Sequence, residues 1–170
     1  MDLRTLRRKA STAALLAFRL TPEPIKRRVV RVVAPTYVAG AVCVLEHDGE
    51  VLMLWQPHRA GWSLPGGFMD RGEDPAHCVQ REVAEEVGLD IDPGDPITAL
   101  VDPERQGLHV IFRVELAERP DLEVASEARK ARWVAAGETV EADDSTRKIL
   151  AAWADLRRPR RPGVLRSDAS

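Results

Sequence analysis

The chain has 170 residues, 44% apolar and 31% charged, with a net charge of −2 at pH 7, which is enough for one ordinary domain with its own core. No apolar run approaches the roughly 18 residues of a membrane-spanning helix. Cys43 and Cys78 stand 35 residues apart, which is neither a zinc spacing nor a disulfide framework, so a reducing, cytoplasmic setting is the default. The charge is uneven: residues 1–31 carry a balance of +7, residues 157–170 carry +4, and residues 32–156 carry −13.

From the N-terminus, Leu3, Leu6, Ala10, Ala13, Ala17 and Leu20 recur at alternating three- and four-residue steps. The spacing predicts a helix over 3–20 with Arg4, Arg7, Arg8 and Lys9 on its other faces. Such a helix would pack on the domain or on a second subunit, as in a homodimer. Its Arg-rich, acid-poor composition also fits a membrane-surface helix or an organellar presequence. Arg19 interrupts the run from Ala13 to Phe18 and no small-residue cleavage site follows, so a secretory signal is not expected. Pro22 and Pro24 end the helix, and Lys26, Arg27, Arg28 and Arg31 form a basic segment interleaved with valines. Residues 1–33 are therefore expected to be a basic helix and linker, and residues 34–156 the globular domain. Residues 157–170, rich in Arg and Pro, read as a disordered tail.

Tyr37 to Leu45 is apolar on both faces and reads as a buried strand. His47-Asp48-Gly49 is a hairpin turn, and Val51 to Trp55 answers it. Gln56 to Gly61 is a loop leading to Trp62, and its polar and aromatic groups could contact a substrate. A tryptophan here anchors a loop, and the sharper reading is that Trp62 or Phe68 stacks on a substrate.

The informative stretch runs from Gly66 to Leu89. Asp74 suits a helix N-cap, Pro75 the first helical position and Gly88 the left-handed residue past the end. At about 100° per residue, Glu82, Glu85 and Glu86 fall within roughly 100° of one another, beside an apolar stripe of Ala76, Val79, Val83 and Val87. Cys78 projects near the carboxylate face. Two carboxylates about 5 Å apart repel by roughly 3 kcal/mol at an effective dielectric of about 20. On a solvated face the cost is only a few tenths. A hard divalent cation would turn that repulsion into ligation.

Gly67, five residues, Glu73, seven residues, Arg81-Glu82-Val83, one residue, Glu85-Glu86, one residue, Gly88-Leu89: this pattern resembles a complete Nudix box, approached through Trp62-Ser63-Leu64-Pro65-Gly66. Beyond it, Asp90 to Pro96 is rich in turn residues and Ile97 to Val101 reads as a strand. Leu108 to Leu116 alternates, with Leu108, Val110, Phe112, Val114 and Leu116 on one face and His109, Ile111, Arg113 and Glu115 on the other. That other face is expected to be solvated; the sharper reading is that His109 and Arg113 face phosphate. Ala131 to Val134 is a further strand. Asp143-Asp144-Ser145 caps a last helix that packs through Ile149, Leu150, Trp153 and Leu156.

The resemblance implies an α/β/α sandwich with a mixed β-sheet, here with an extra N-terminal helix. It implies hydrolysis of a phosphoanhydride bond in a nucleoside diphosphate linked to another moiety, with magnesium, or manganese, as cofactor. Glu82, Glu85, Glu86 and the Gly66 carbonyl would be the metal ligands. Glu73 and Arg81 would pair to hold the loop against the helix. The general base would be a box glutamate, Glu85 or Glu86, or Glu127 from a later loop, with Glu123 its nearest substitute. The substrate would be a small nucleotide-like diphosphate: a nucleoside triphosphate, ADP-ribose or a nucleotide sugar. ADP-ribose hydrolases of the family often carry a proline where this chain has Arg105. Two rivals are a catalytically quiet nucleotide-binding regulator of the same fold and an RNA-end pyrophosphohydrolase. In either, the basic ends would touch nucleic acid or anionic lipid.

Overall fold

The computed structural model describes residues 18–124, 128–135, 138 and 140–156. The chain divides into two units, residues 1–37 and 38–170. Of the helix expected over 3–20, residues 18–20 are helical and the rest lies outside the described residues, as does the tail 157–170.

The first unit holds helix α1, Glu23–Val33. Here the expectation of a basic linker is corrected. Pro24 falls in the first turn, where its missing N–H has no intrahelical partner to lose, so it starts a helix and does not block one. The far end closes with the Ala34 N–H donating to the Val30 carbonyl at 2.8 Å. Ile25, Val29, Val30 and Val32 are exposed along it.

The second unit is built on strands β1 (Val38–His47), β2 (Glu50–Trp55), β3 (Trp62–Ser63), β4 (Gly66–Phe68), β5 (Thr98–Asp102), β6 (Gly107–Glu115) and β7 (Lys130–Ala135), with helices α2 (Pro75–Val87) and α3 (Asp144–Leu156). The sheet runs β3-β2-β1-β6-β5, with β7 also on β2 and β4 also on β1. β1 and β6 are parallel and the other pairs antiparallel, so the sheet is mixed as expected. At the hairpin, Asp48 and Gly49 both take positive φ, 48° and 78°. That turn twists with the strands it joins, and Asp-Gly tolerates it. β1 and β2 pair only at Glu46 with Val51 and His47 with Glu50. They then part, and β3 takes the free edge of β2 while β4 takes that of β1. This opening sets Gly66–Phe68 beside Gly40–Val42.

Both faces of the sheet are covered. On one, Ala41, Cys43 and Leu45 pack with Val79, Val83 and Val87 of α2. Each of those three valines is fully buried, worth roughly 1.5–3 kcal/mol apiece. On the other, Val42, Val44 and Ile111 pack with Ile149 and Trp153 of α3. This corrects the solvated face expected for His109, Ile111 and Arg113, while Glu115 is exposed as expected. Ile111 is fully buried and His109 half-buried, and Arg113 donates to buried Glu46 at 2.8 Å. Alternation shows that two faces differ; it does not show what will cover them, and the apolar side of α3 covers this one. Among the described residues no helix is long and apolar enough to cross a membrane.

Candidate active site

α2 begins and ends where its residues require. Asp74 Oδ1 accepts from the His77 N–H at 3.0 Å, Pro75 opens the first turn, and Gly88 takes φ 73° with its N–H on the Ala84 carbonyl at 3.0 Å. The helix buries Cys78, Val79, Val83, Glu86 and Val87.

The three box glutamates end in three environments. Glu86 is only 5% exposed. Its carboxylate accepts from the Gly66 N–H at 2.9 Å and from Gln56 Nε2, and Ser63 Oγ braces Gln56 at 3.3 Å. Burial pushes the Glu86 carboxyl up to about 7; the Glu82 charge adds to this, while the Gly66 N–H, Arg59 and Gln56 hold it down. Glu82 lies over Gly67, where an added Cβ would stand 2.3 Å from its Oε1, and it accepts from Arg81 Nη1 at 2.8 Å. The Glu85 side chain is 61% exposed, with Arg81 Nη1 at 3.4 Å. The Gly66 carbonyl accepts from Arg59 Nη2 at 3.5 Å. Among the described residues no three His, Cys, Asp or Glu side chains form a ready-made cation cluster.

The donor set nonetheless fits a hard divalent cation. It is all oxygen, and Glu82 closes on a glycine that leaves room for it. The proton affinity of Glu86, raised by burial and by the Glu82 charge, is what a neighbouring cation would relieve.

Arg81 ties the loop to the helix. It grips Glu73 with two donors, Nε to Oε1 at 3.0 Å and Nη2 to Oε2 at 3.1 Å, and reaches the Phe68 carbonyl at 3.2 Å. The Asp70 N–H donates to Glu73 at 2.8 Å. These bonds, Arg81 first and Asp70 second, hold the Glu73 carboxyl down at about 2, against 4.5 ordinarily. A carboxyl lowered on folding contributes stability above its unfolded value and loses it as pH falls toward its folded one. The melting-temperature gap between wild type and Glu73→Gln is therefore expected to be full near neutral pH and to close between pH 4.5 and about 2. A gap that stays constant across that window would show that the pair adds nothing to stability.

Glu127 lies outside the described residues. Glu123 is exposed at the C-terminal end of α2, its N–H on the Val87 carbonyl at 3.0 Å. Cys78 is fully buried, and burial pushes its thiol up to about 11, so it stays protonated. Trp62 meets Trp55 edge-on at 5.8 Å and anchors its loop. Phe68 is 67% exposed. Ser63 carried no signal in the sequence beyond its nearness to the box; Gln56 and Arg59 were marked only as part of a loop whose polar groups could contact a substrate, and His109 only by the sharper reading of its face. Arg59 joins Asp143, at 3.3 Å, to the Gly66 carbonyl. On the α3 face a cavity of about 360 Å³ opens beside the glycine loop, with Leu64, Gly67, Phe68, His109 and Ile149 in its walls.

The family model for the NUDIX domain matches residues 35–154. Over 47 residues the chain is 47% identical to the uncharacterized Nudix hydrolase YvcI of Bacillus subtilis (strain 168), covering 28% of this chain and 30% of that protein. Over 126 residues it is 33% identical to the 8-oxo-dGDP phosphatase NUDT18 of Danio rerio, covering 72% of this chain and 33% of that protein. The match thus spans about a third of the length of these curated relatives. The solved structure of a NUDIX hydrolase from Nitrosomonas europaea has the same fold, with a TM-score of 0.61, 22% identity and 72% of each chain covered.

Proposed function

The chain belongs to the Nudix family, and from that premise we propose that it is a magnesium-dependent pyrophosphohydrolase acting on a nucleoside diphosphate derivative. The observation that carries this reading is the pair of glutamates, Glu82 and Glu86, set against a side-chain-free loop at Gly66 and Gly67 and braced by Arg81 and Glu73. Glu82, Glu85, Glu86 and the Gly66 carbonyl would hold the ion. A bound divalent cation neutralises phosphoryl oxygens and acidifies water. The rest falls to the chain. Arg59, beside the Gly66 carbonyl, places a fixed positive charge where a diphosphate must lie. Of the three box carboxylates, that of Glu85 is open to solvent, so it takes the proton of the attacking water.

The 8-oxo-dGDP phosphatase among the relatives supports nucleoside di- and triphosphates, ordinary or oxidised, as the first substrates to try. ADP-ribose and nucleotide sugars come next. The deciding experiment is a phosphate- and pyrophosphate-release screen with magnesium across these groups and dinucleoside polyphosphates. Hydrolysis concentrated in one group is the expected result. Silence on all of them, with the protein folded, overturns the reading.

Metal removal offers a check independent of turnover. Magnesium at about 100 times its dissociation constant stabilises the native state by about 2.7 kcal/mol, a rise of roughly 5–10 °C for a chain of this size. A chelator should reverse the rise, and Glu82→Gln should lose most of it. An equal rise in that variant would remove Glu82 from the ligand set.

A further inference from the structure

Inside the cavity on the α3 face, His109 sits on a floor of glycines. It stands on β6 directly across from Gly40 of β1. A Cβ added at Gly40 would come 3.4 Å from its Nδ1, and one added at Gly107 would come 3.3 Å from its Nε2. The ring therefore lies along the sheet, over two residues that have no side chain to lift it. No hydrogen bond among the described residues holds either ring nitrogen, and Nδ1 is buried with no partner. A buried polar atom left unsatisfied costs about 1–3 kcal/mol, so Nδ1 needs an explanation, while Nε2 is not among the buried atoms and is free to meet a ligand. Arg59, in the same cavity, also has its Nε buried without a partner.

The lining of this cavity mixes two kinds of chemistry. The Arg59 guanidinium and the glycine loop, Gly66 and Gly67, suit phosphate. The walls also carry apolar Val42, Leu64, Ile149 and the exposed Phe68, beside polar His58, Arg105, Ser145 and Thr146. Burial, helped by the positive charge of Arg59, lowers His109 from the usual histidine range. At neutral pH it is an uncharged ring with one donor and one acceptor nitrogen, and nothing in the chain dictates which is which. Apolar side chains beside an uncharged donor–acceptor ring suit a planar heterocycle with polar edges. The volume, about 360 Å³, is at the small end for ligand sites.

We propose that His109 is a specificity-determining residue of this site, hydrogen-bonding through Nε2 to the edge of the substrate's nucleobase within the cavity lined by Leu64, Phe68 and Ile149. The proposal rests on the nucleotide-hydrolase reading only for its choice of ligand.

Its test is a binding titration in which no bond is broken. Wild type, His109→Ala and His109→Gln are titrated with AMP, GMP, CMP, UMP and ribose 5-phosphate. Wild type should bind at least one nucleotide about tenfold or more tighter than the base-free sugar phosphate, the scale of one good hydrogen bond in a desolvated site. His109→Ala should bring that nucleotide to within about threefold of ribose 5-phosphate and leave the sugar phosphate unchanged; His109→Gln should restore part of the preference. In wild type alone, the imidazole ¹⁵N resonances of His109 should shift with the preferred nucleotide and not with ribose 5-phosphate, so the test survives a variant that fails to fold. Any of three results overturns the proposal: no base preference in wild type, a preference that His109→Ala leaves intact, or an equal loss for both ligands. Silence in the phosphate-release screen with base preference intact would sink the hydrolase reading alone. Turnover without base preference would sink this proposal alone.

Discussion

Replacing Glu85 with glutamine is expected to lower kcat by about a thousandfold, within the range for a positioned proton acceptor or charge-stabilising group. The melting temperature should move by no more than about 2 °C. The two halves of this expectation have separate grounds. Glu85 is the exposed member of the box trio, and among the described residues it meets Arg81 Nη1 at 3.4 Å. An exposed pair of that kind contributes little to folding. Glutamine keeps the shape and removes the charge, so a loss of turnover reports on chemistry and not on packing. Glu115→Gln is the matching control. That side chain is 72% exposed and pairs with Arg113 at 3.1 Å, at the far end of β6 from His109, and its variant should keep kcat within about twofold. A fall of less than tenfold for Glu85→Gln would take Glu85 out of the reaction. A large fall in melting temperature would mean that the residue is structural.

The second large effect is on stability. Gly66→Ala is expected to cost about 3–4 kcal/mol, combining backbone strain with overpacking, a drop of roughly 10 °C in melting temperature. Gly66 takes φ 141°, and a Cβ there would stand 2.3 Å from the Ala41 carbonyl oxygen and 2.7 Å from Val42 Cα. Both are backbone atoms of the central strand. Gly66 is itself paired with Val42 across the β1–β4 ladder, so neither side can retreat without opening the sheet. Gly49 makes the comparison. Its φ is 78° with nothing within 4 Å of an added Cβ, so Gly49→Ala should cost only the left-handed penalty of about 1–2 kcal/mol. Equal losses at the two positions, read by thermal or urea melts, would show that contact with β1 does not matter at Gly66.

Several features depend on residues close together in the chain, and those were legible in the sequence. Asp74, Pro75 and Gly88 set the limits of α2, because a cap, a first-turn proline and a left-handed glycine act over a few residues. Asp48-Gly49 set the hairpin for the same reason. The pairing of Glu73 with Arg81 followed from the resemblance of the box, and the distances agree with it. The fold class and the family were likewise readable from a spacing of 23 residues, Gly67 to Leu89.

What burial does to these residues could not be read that way. Angle counting placed Glu82, Glu85 and Glu86 together on one face of the helix, yet one is buried, one lies over a glycine and one faces water. The difference comes from β4, which enters the gap between β1 and β2 and brings the Gly66 N–H to Glu86. Likewise the alternation of β6 showed two unlike faces, and α3, arriving from about forty residues later in the chain, made one of them a second core and enclosed His109. The sequence by itself determined the caps, the turns, the family and the residues that carry charge, since these are local. Only the tertiary structure decided which of those charges lose their water, because desolvation depends on the segments that pack against a residue and not on its neighbours in the chain.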